Sequence, residues 1–282
     1  MIVKEGGAVT SPEWIENAPK GARPLAALRD LWRFRELVGF LALRDLKVRY
    51  KQAAFGVIWV VVQPIVGMLV LTVVFHDLGH VKTSGIAYVP STILGYTAWS
   101  YVSATVVTMT GSFIVNAPLV TKVYFPRLVM PVGAVLPGLV DLAGGLVVTA
   151  GFLVWYHVVP TIALVTLPLW IAALAVIAFS AGTLLGTLNV QFRDVGQVVG
   201  LLVQIWFFIT PIAYLSTLVP GRLAWVYHLN PMAGVLDGLR WSVLAGPAPS
   251  VSSFASLGSG LILLVAATLY FLRSERRFAD IL

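Results

Sequence analysis

Four basic side chains in one short stretch, Arg44, Lys47, Arg49 and Lys51, are of the type that holds a phosphate or diphosphate. At 100° per residue, a helix over about 37–52 gathers Leu43, Leu46 and Tyr50 on one face and Arg44, Lys47 and Lys51 on a neighbouring stripe. Long basic side chains lie along an apolar boundary with their heads at phosphates, so this segment is expected as an amphipathic interfacial helix before the first membrane crossing. Two readings of the stripe stand level. One is contact with ordinary anionic lipid, worth about 1 kcal/mol per charge and unspecific. The other is recognition of a lipid that carries a phosphate or diphosphate.

A second group is the loop Asn116–Arg127, both basic and aromatic, with the shorter Asn189–Gln197 beside it. Pro118 and Pro126 bracket the first loop, which suits a short transverse helix acting as a rigid lever. The plainer reading is a topology anchor ended by a proline. Asp141 is the third feature, an ionisable group expected deep inside a crossing, where an Asp costs about 2.5–3.5 kcal/mol. It has no visible Arg or Lys partner in the membrane. It faces a conduit or gate, or else hydrogen-bonds a neighbour such as Gln63 or Gln204. Trp59, Trp99, Tyr101, Trp155, Trp170, Trp206, Phe207, Phe208 and Tyr214 serve mostly as interfacial belts and packing. A subset could line a sugar path, since flat apolar rings stack on sugar C–H faces.

Other chemistry is missing. No G-x-x-x-x-G-K-[ST] occurs, nor any Gly-Lys pair, so nothing here cradles a nucleotide phosphate. No DxD or histidine cluster suits metal or general-base work; His76, His80, His157 and His228 are scattered. No metal site and no cofactor are expected in this chain. A lone Asp141 is thin support for ion-coupled transport. The chain has no cysteine, which excludes disulfides and thiolate metal sites.

The elements that must position these residues are membrane-sized. Uncharged intervals run over 52–76, 83–121, 142–192, 195–221 and 241–272, and a crossing needs about 20 apolar residues. Only 11% of the residues are charged and 59% are hydrophobic, with a mean hydropathy of +0.90. The fold class is therefore an all-α membrane protein. Six crossings are expected at about 55–75, 91–114, 129–156, 161–188, 198–217 and 256–272. Asn230 as N-cap and Pro231 as first helical residue start a re-entrant or surface helix before the last crossing, in which Asp237 and Arg240 can pair.

Six crossings put both termini on one side. That side collects sixteen Lys and Arg, whereas only Lys82, Arg222 and Arg240 face the other way. The positive-inside rule then makes the termini cytoplasmic. The same asymmetry accounts for the pI of about 9.8 without nucleic-acid binding. Residues 1–24 hold Pro12, Pro19 and Pro24 and no apolar run, so the first crossing is expected to direct insertion itself.

Arg44-Asp45-Leu46-Lys47-Val48-Arg49-Tyr50-Lys51, followed by Phe55-Gly56-Val57-Ile58-Trp59 and Gln63-Pro64, resembles the start of an ABC-2 polysaccharide-exporter permease. Further landmarks similar to that family's follow in order. They are Lys122-Val123-Tyr124-Phe125-Pro126-Arg127, Phe192-Arg193-Asp194-Val195, Thr210-Pro211-Ile212-Ala213-Tyr214, Asn230-Pro231-Met232 and Phe278-Ala279-Asp280. The resemblance covers roughly residues 35–282, and residues 1–34 form a separate cytoplasmic segment without a landmark. Phe55 stands where Leu is expected, a departure that bears on local packing.

The resemblance implies a homodimer of this subunit with two copies of a separate ABC ATPase, which would bind the ATP and Mg. It implies export of a glycan on a polyprenyl diphosphate, such as O-antigen, teichoic acid or galactan, across the bacterial cytoplasmic (inner) membrane. It assigns the headgroup to Arg44, Lys47, Arg49 and Lys51, and a conduit between the first and fifth helices to Trp59, Asp141, Trp206 and Tyr214. ATPase coupling falls to Lys122, Val123, Tyr124, Phe125, Pro126, Arg127, Arg193 and Asp194. A drug or small-lipid exporter of the same group is the alternative; the basic stripe and Lys122–Arg127 favour the polysaccharide branch.

Overall fold

Backbone groups in lipid must find their hydrogen bonds within their own segment, and long uncharged runs accordingly become helices. The computed structural model describes residues 24–51, 58–80, 86–122, 125–216, 227, 229–275 and 278, and every regular element among them is helical. In chain order the α-helices are α1 Pro24–Arg33, α2 Arg35–Lys51, α3 Ile58–Leu71, α4 Tyr88–Val115, α5 Ala117–Lys122, α6 Val129–Trp155, α7 Leu167–Gln191, α8 Val195–Ile209, α9 Pro231–Leu244 and α10 Val251–Ser274. A π-helical segment, Thr72–Leu78, extends α3, and a 3-10 turn, Ile162–Thr166, leads into α7. Most of the expected segment 1–34, the Phe55–Val57 landmark, Lys82, Val123, Tyr124, Arg222, Ala279 and Asp280 lie outside the described residues.

Five helices are long and apolar enough to cross a membrane: Ile58–Leu78, Tyr88–Val115, Val129–Trp155, Ile162–Gln191 and Val251–Ser274. The chain is thus a multi-pass, all-α membrane protein. The crossing expected over 198–217 takes another form. Its helix, α8, has 15 residues and stops at Ile209 because Pro211 cannot continue it. Fifteen residues rise about 22 Å, short of a hydrocarbon core of about 30 Å. Irregular backbone follows over 210–216, and it is packed into protein: Thr210, Ile212, Ala213 and Leu215 are all buried.

The long α4 lies against both α6 and α7. Gly182 and Gly186 permit the second contact, since a Cβ at Gly182 would lie 2.7 Å from Met109 and one at Gly186 would lie 3.0 Å from its carbonyl. At one end, Phe113 and Phe271 stack and Phe278 meets both edge-on, with centroids 5.2–5.8 Å apart. Val38, Leu41, Phe125, Val129 and Val190 close around them. Gln191 completes this end by accepting from Tyr270 (2.8 Å) and donating to Ser274 (3.1 Å). The ends of α4, α7 and α10, the start of α6, and α2 therefore meet at one pole, as alternating crossings require. This is the basic end of the chain.

Candidate functional site

The helix that carries the basic stripe does not present it as one surface. α2 buries Val38, Leu41 and Ala42, while Leu43 of the expected apolar face is 57% exposed. The reason lies in the partner: α2 packs along α6. Leu41 faces Gly133, and Arg49 and Tyr50 both reach Asp141. Each interval is eight residues, about 12 Å of helix, so the two helices run side by side in the same direction. The stripe divides accordingly. Arg44 is paired with Asp45 of its own helix at 2.8 Å. Arg49 is paired with Asp141. Lys47 and Lys51 are exposed, and neither is in an ion pair among the described residues.

Asp141 consequently has the cationic partner that the sequence does not reveal, and its carboxylate accepts from Arg49 and Tyr50 instead of Gln63 or Gln204. A Cβ at Gly144 would collide with Val60, so α3 begins within about one turn of Asp141 along α6. Asp141 sits at mid-length of α6, beside the first turn of α3. Burial, and then the hydrogen bond to Asp141, push the Tyr50 phenol up to about 12. Tyr50 therefore stays protonated at physiological pH and remains the donor.

These three side chains open onto a cavity of about 250 Å³, walled also by Trp59, Gln63, Thr97, Ser100 and Tyr101. Trp59, assigned to the conduit, is thus in the same wall as Asp141. Pro64 shares this wall, and its missing N–H leaves the Val60 carbonyl without its helical donor. A second cavity of about 290 Å³ shares Gln63 and Ser100 with the first and continues to Tyr96, Trp99, Gln204 and Phe207. Both mix amide and hydroxyl groups with aromatic rings; the first lies between α2, α3, α4 and α6, and the second between α3, α4 and α8.

Trp206 and Tyr214 stand apart from both cavities. The Trp206 indole donates to Asn230 at 3.0 Å and meets Trp99 edge-on at 5.4 Å, so it holds the wall rather than forming it. Tyr214 bonds Tyr227 and donates to the Phe208 carbonyl at 3.3 Å. At the basic end, α5 is the expected short helix, with Pro118 in its first turn. Phe125 is buried in the aromatic cluster and Arg127 lies over the Phe278 ring at 5.8 Å. Phe192, Arg193 and Asp194 are exposed. The turn that carries them is pinned by Asn189, which donates to the Thr110 carbonyl (2.8 Å) and accepts from Gly196 N–H (2.7 Å). The side chains of Arg193 and Asp194 therefore project from a pinned turn.

At the opposite end, Asn230 caps α9 by accepting from Met232 N–H at 3.1 Å, and also donates to Thr210 at 3.0 Å. Asp237 and Arg240 come only to 3.9 Å. Their main partners lie elsewhere: Asp237 accepts from Ser216 and Ser253, and Arg240 donates to Ser91 and to the carbonyls of Pro211 and Ile212 at 2.7 and 3.0 Å. Arg240 thereby satisfies the carbonyls exposed where α8 breaks. With eleven of its fourteen residues buried among α4, α7 and α10, α9 is an internal helix and not a surface one. The single basic residue of a mostly apolar segment was the only signal of this role. Tyr50, Ser100 and Thr97 carried none.

Among the described residues, no group of three or more His, Asp or Glu is placed to hold a metal ion. Residues 36–244 match the family described as ABC-2 type transporter. The chain is also similar to proteins named O-antigen export system permease protein RfbA. One from Klebsiella pneumoniae is 29% identical over 250 residues, covering 88% of this chain and 95% of the relative. One from Myxococcus xanthus is 26% identical over 256 residues, covering 90% and 98%.

Proposed function

Because the chain belongs to the ABC-2 type transporter family, we propose that it is the permease subunit of an ATP-driven exporter that moves a polyprenyl-diphosphate-linked polysaccharide outward across the bacterial cytoplasmic membrane. It acts as a homodimer with two separate ATPase subunits that bind ATP and Mg, and its termini are cytoplasmic. The observation that carries this reading is the similarity, along 88–90% of the chain, to permeases named for O-antigen export.

The geometry supports the division of labour. Lys47 and Lys51 are free to attract the diphosphate at the membrane surface. The two neighbouring cavities offer amides and rings, the chemistry of a sliding sugar, the first of them beside Asp141. α5 and the pinned Phe192–Asp194 turn form the surface against which an ATPase would push. Arg127 and Phe125 tie that surface to α4 and α10 through the aromatic cluster, so a force applied there is passed to the helices.

The test is reconstitution of the chain and its ATPase in proteoliposomes, with ATP hydrolysis and glycan transfer measured together. Lys47→Glu with Lys51→Glu should abolish transfer while dimerisation and ATPase docking persist. Replacing residues 122–127 with Gly and Ser should leave hydrolysis running without transfer. Transfer of a drug or a small lipid, with none of the glycan, would reject the polysaccharide substrate.

A further inference from the structure

The cavity beside α2 holds a charged pair and unfilled hydrogen-bonding groups in the same wall. The Arg49 and Asp141 side chains are 34% and 32% exposed, so water reaches their ion pair. Such pairs contribute little net stability, about 0–1 kcal/mol, and are open to exchange. Behind them Tyr101, 1% exposed, lines the cavity, and its hydroxyl has no hydrogen-bond partner among the described residues. The Thr97 hydroxyl, on a side chain 2% exposed, is in the same condition. A buried hydroxyl left unpaired costs about 1–3 kcal/mol, and two in one cavity mark a place where a polar guest is accommodated.

The charge of that guest follows from the neighbours. Arg49 offers a planar fork that takes the oxygens of a phosphate as readily as a carboxylate, and Asp141 occupies only its Nη1. Lys47 and Lys51 stand exposed on the same helix, whereas Arg44 is engaged by Asp45. We propose that this cavity is a phosphoryl-binding site with an internal competitor. Asp141 occupies Arg49 until the phosphate of the lipid-linked substrate displaces it, and the like charge of Asp141 then limits how tightly that phosphate is held. Tyr50 keeps Asp141 hydrogen-bonded after the exchange. A transporter needs such a limit, because a headgroup bound without opposition would not be released. The inference rests on the reading that the substrate carries a diphosphate.

The full chain in phosphatidylcholine nanodiscs, titrated with farnesyl diphosphate, tests it. Arg49→Gln should weaken binding about tenfold, and Asp141→Asn should tighten it about tenfold, the size of one charge-assisted interaction. In the Asp141→Asn background, Arg49→Gln should remove the gain. Tyr101→Phe should weaken binding severalfold without changing thermal stability. Unchanged or weaker binding in Asp141→Asn overturns the proposal. So does unchanged binding in Tyr101→Phe, should Asp141→Asn fail to fold. Phosphatidylglycerol added at matching concentration should not compete; displacement of the probe would assign the cavity to ordinary lipid and overturn its link to substrate. Absence of binding by the unmodified chain overturns this proposal and the diphosphate reading together. Binding that is lost in Lys47→Glu/Lys51→Glu but indifferent to Asp141→Asn overturns the proposal alone.

Discussion

Two arginine–aspartate pairs occupy different parts of this molecule, and they differ in what surrounds them. Arg240 is buried, and the Nε and Nη2 of its guanidinium are spent on Ser91 and two backbone carbonyls, leaving Nη1 with Asp237 alone, while Asp237 is held by two serines. The two share only a loose ion pair, at 3.9 Å. Arg49 and Asp141 have each other and Tyr50, stand a third exposed, and face a cavity with unpaired hydroxyls. A charge whose every neighbour is supplied by the fold is structural. One that meets open space and unmet hydrogen bonds is available to a ligand.

Substitutions can break or sharpen that contrast. The largest effect is expected from Arg240→Leu, which strips donors from the Pro211 and Ile212 carbonyls and leaves Asp237 without its cation. Thermal unfolding in detergent should report a loss of roughly 3–5 kcal/mol, and Arg240→Lys should restore only part of it because an ammonium lacks the fork. A loss under about 1 kcal/mol would erase the difference between the two pairs. Asn230→Ala comes next, at about 1–2 kcal/mol, since it removes the α9 cap and the Trp206 and Thr210 bonds together. Emission of the tryptophans should shift as Trp206 loses its acceptor. Smallest is Asp141→Asn, expected within about 1 kcal/mol of the unmodified protein by the same unfolding measurement. A penalty as large as that of Arg240→Leu would make Asp141 a structural residue and break the comparison.

Much of the fold was legible in the sequence. Four of the six expected crossings lie within a few residues of helices long enough to span, the first joins them through the π-helical extension of α3, and the start of α9 was marked by Asn230-Pro231. The remaining expected crossing, 198–217, is α-helical only as far as Ile209 among the described residues; hydropathy does not register a proline that ends a helix inside an apolar run. The face of α2 misled for another reason. Periodicity selects the most apolar stripe, whereas α2 packs by fit against α6, which favours Val38, Leu41 and Ala42 over Leu43. Asp141 was singled out correctly as unusual, but its partners lie 91 and 92 residues away and no spacing rule spans that distance.

The sequence by itself determined that this chain lives in a bilayer, that its regular structure is helical, and which end is basic. Those properties are sums over many residues of transfer free energy and charge, and the order in space of the helices does not alter them. Only the tertiary structure decided that the basic stripe is split, that Arg49 belongs to Asp141, and that a broken helix is mended by Arg240. Each of those depends on which side chains come within about 3 Å of one another, and that is settled by how the helices pack.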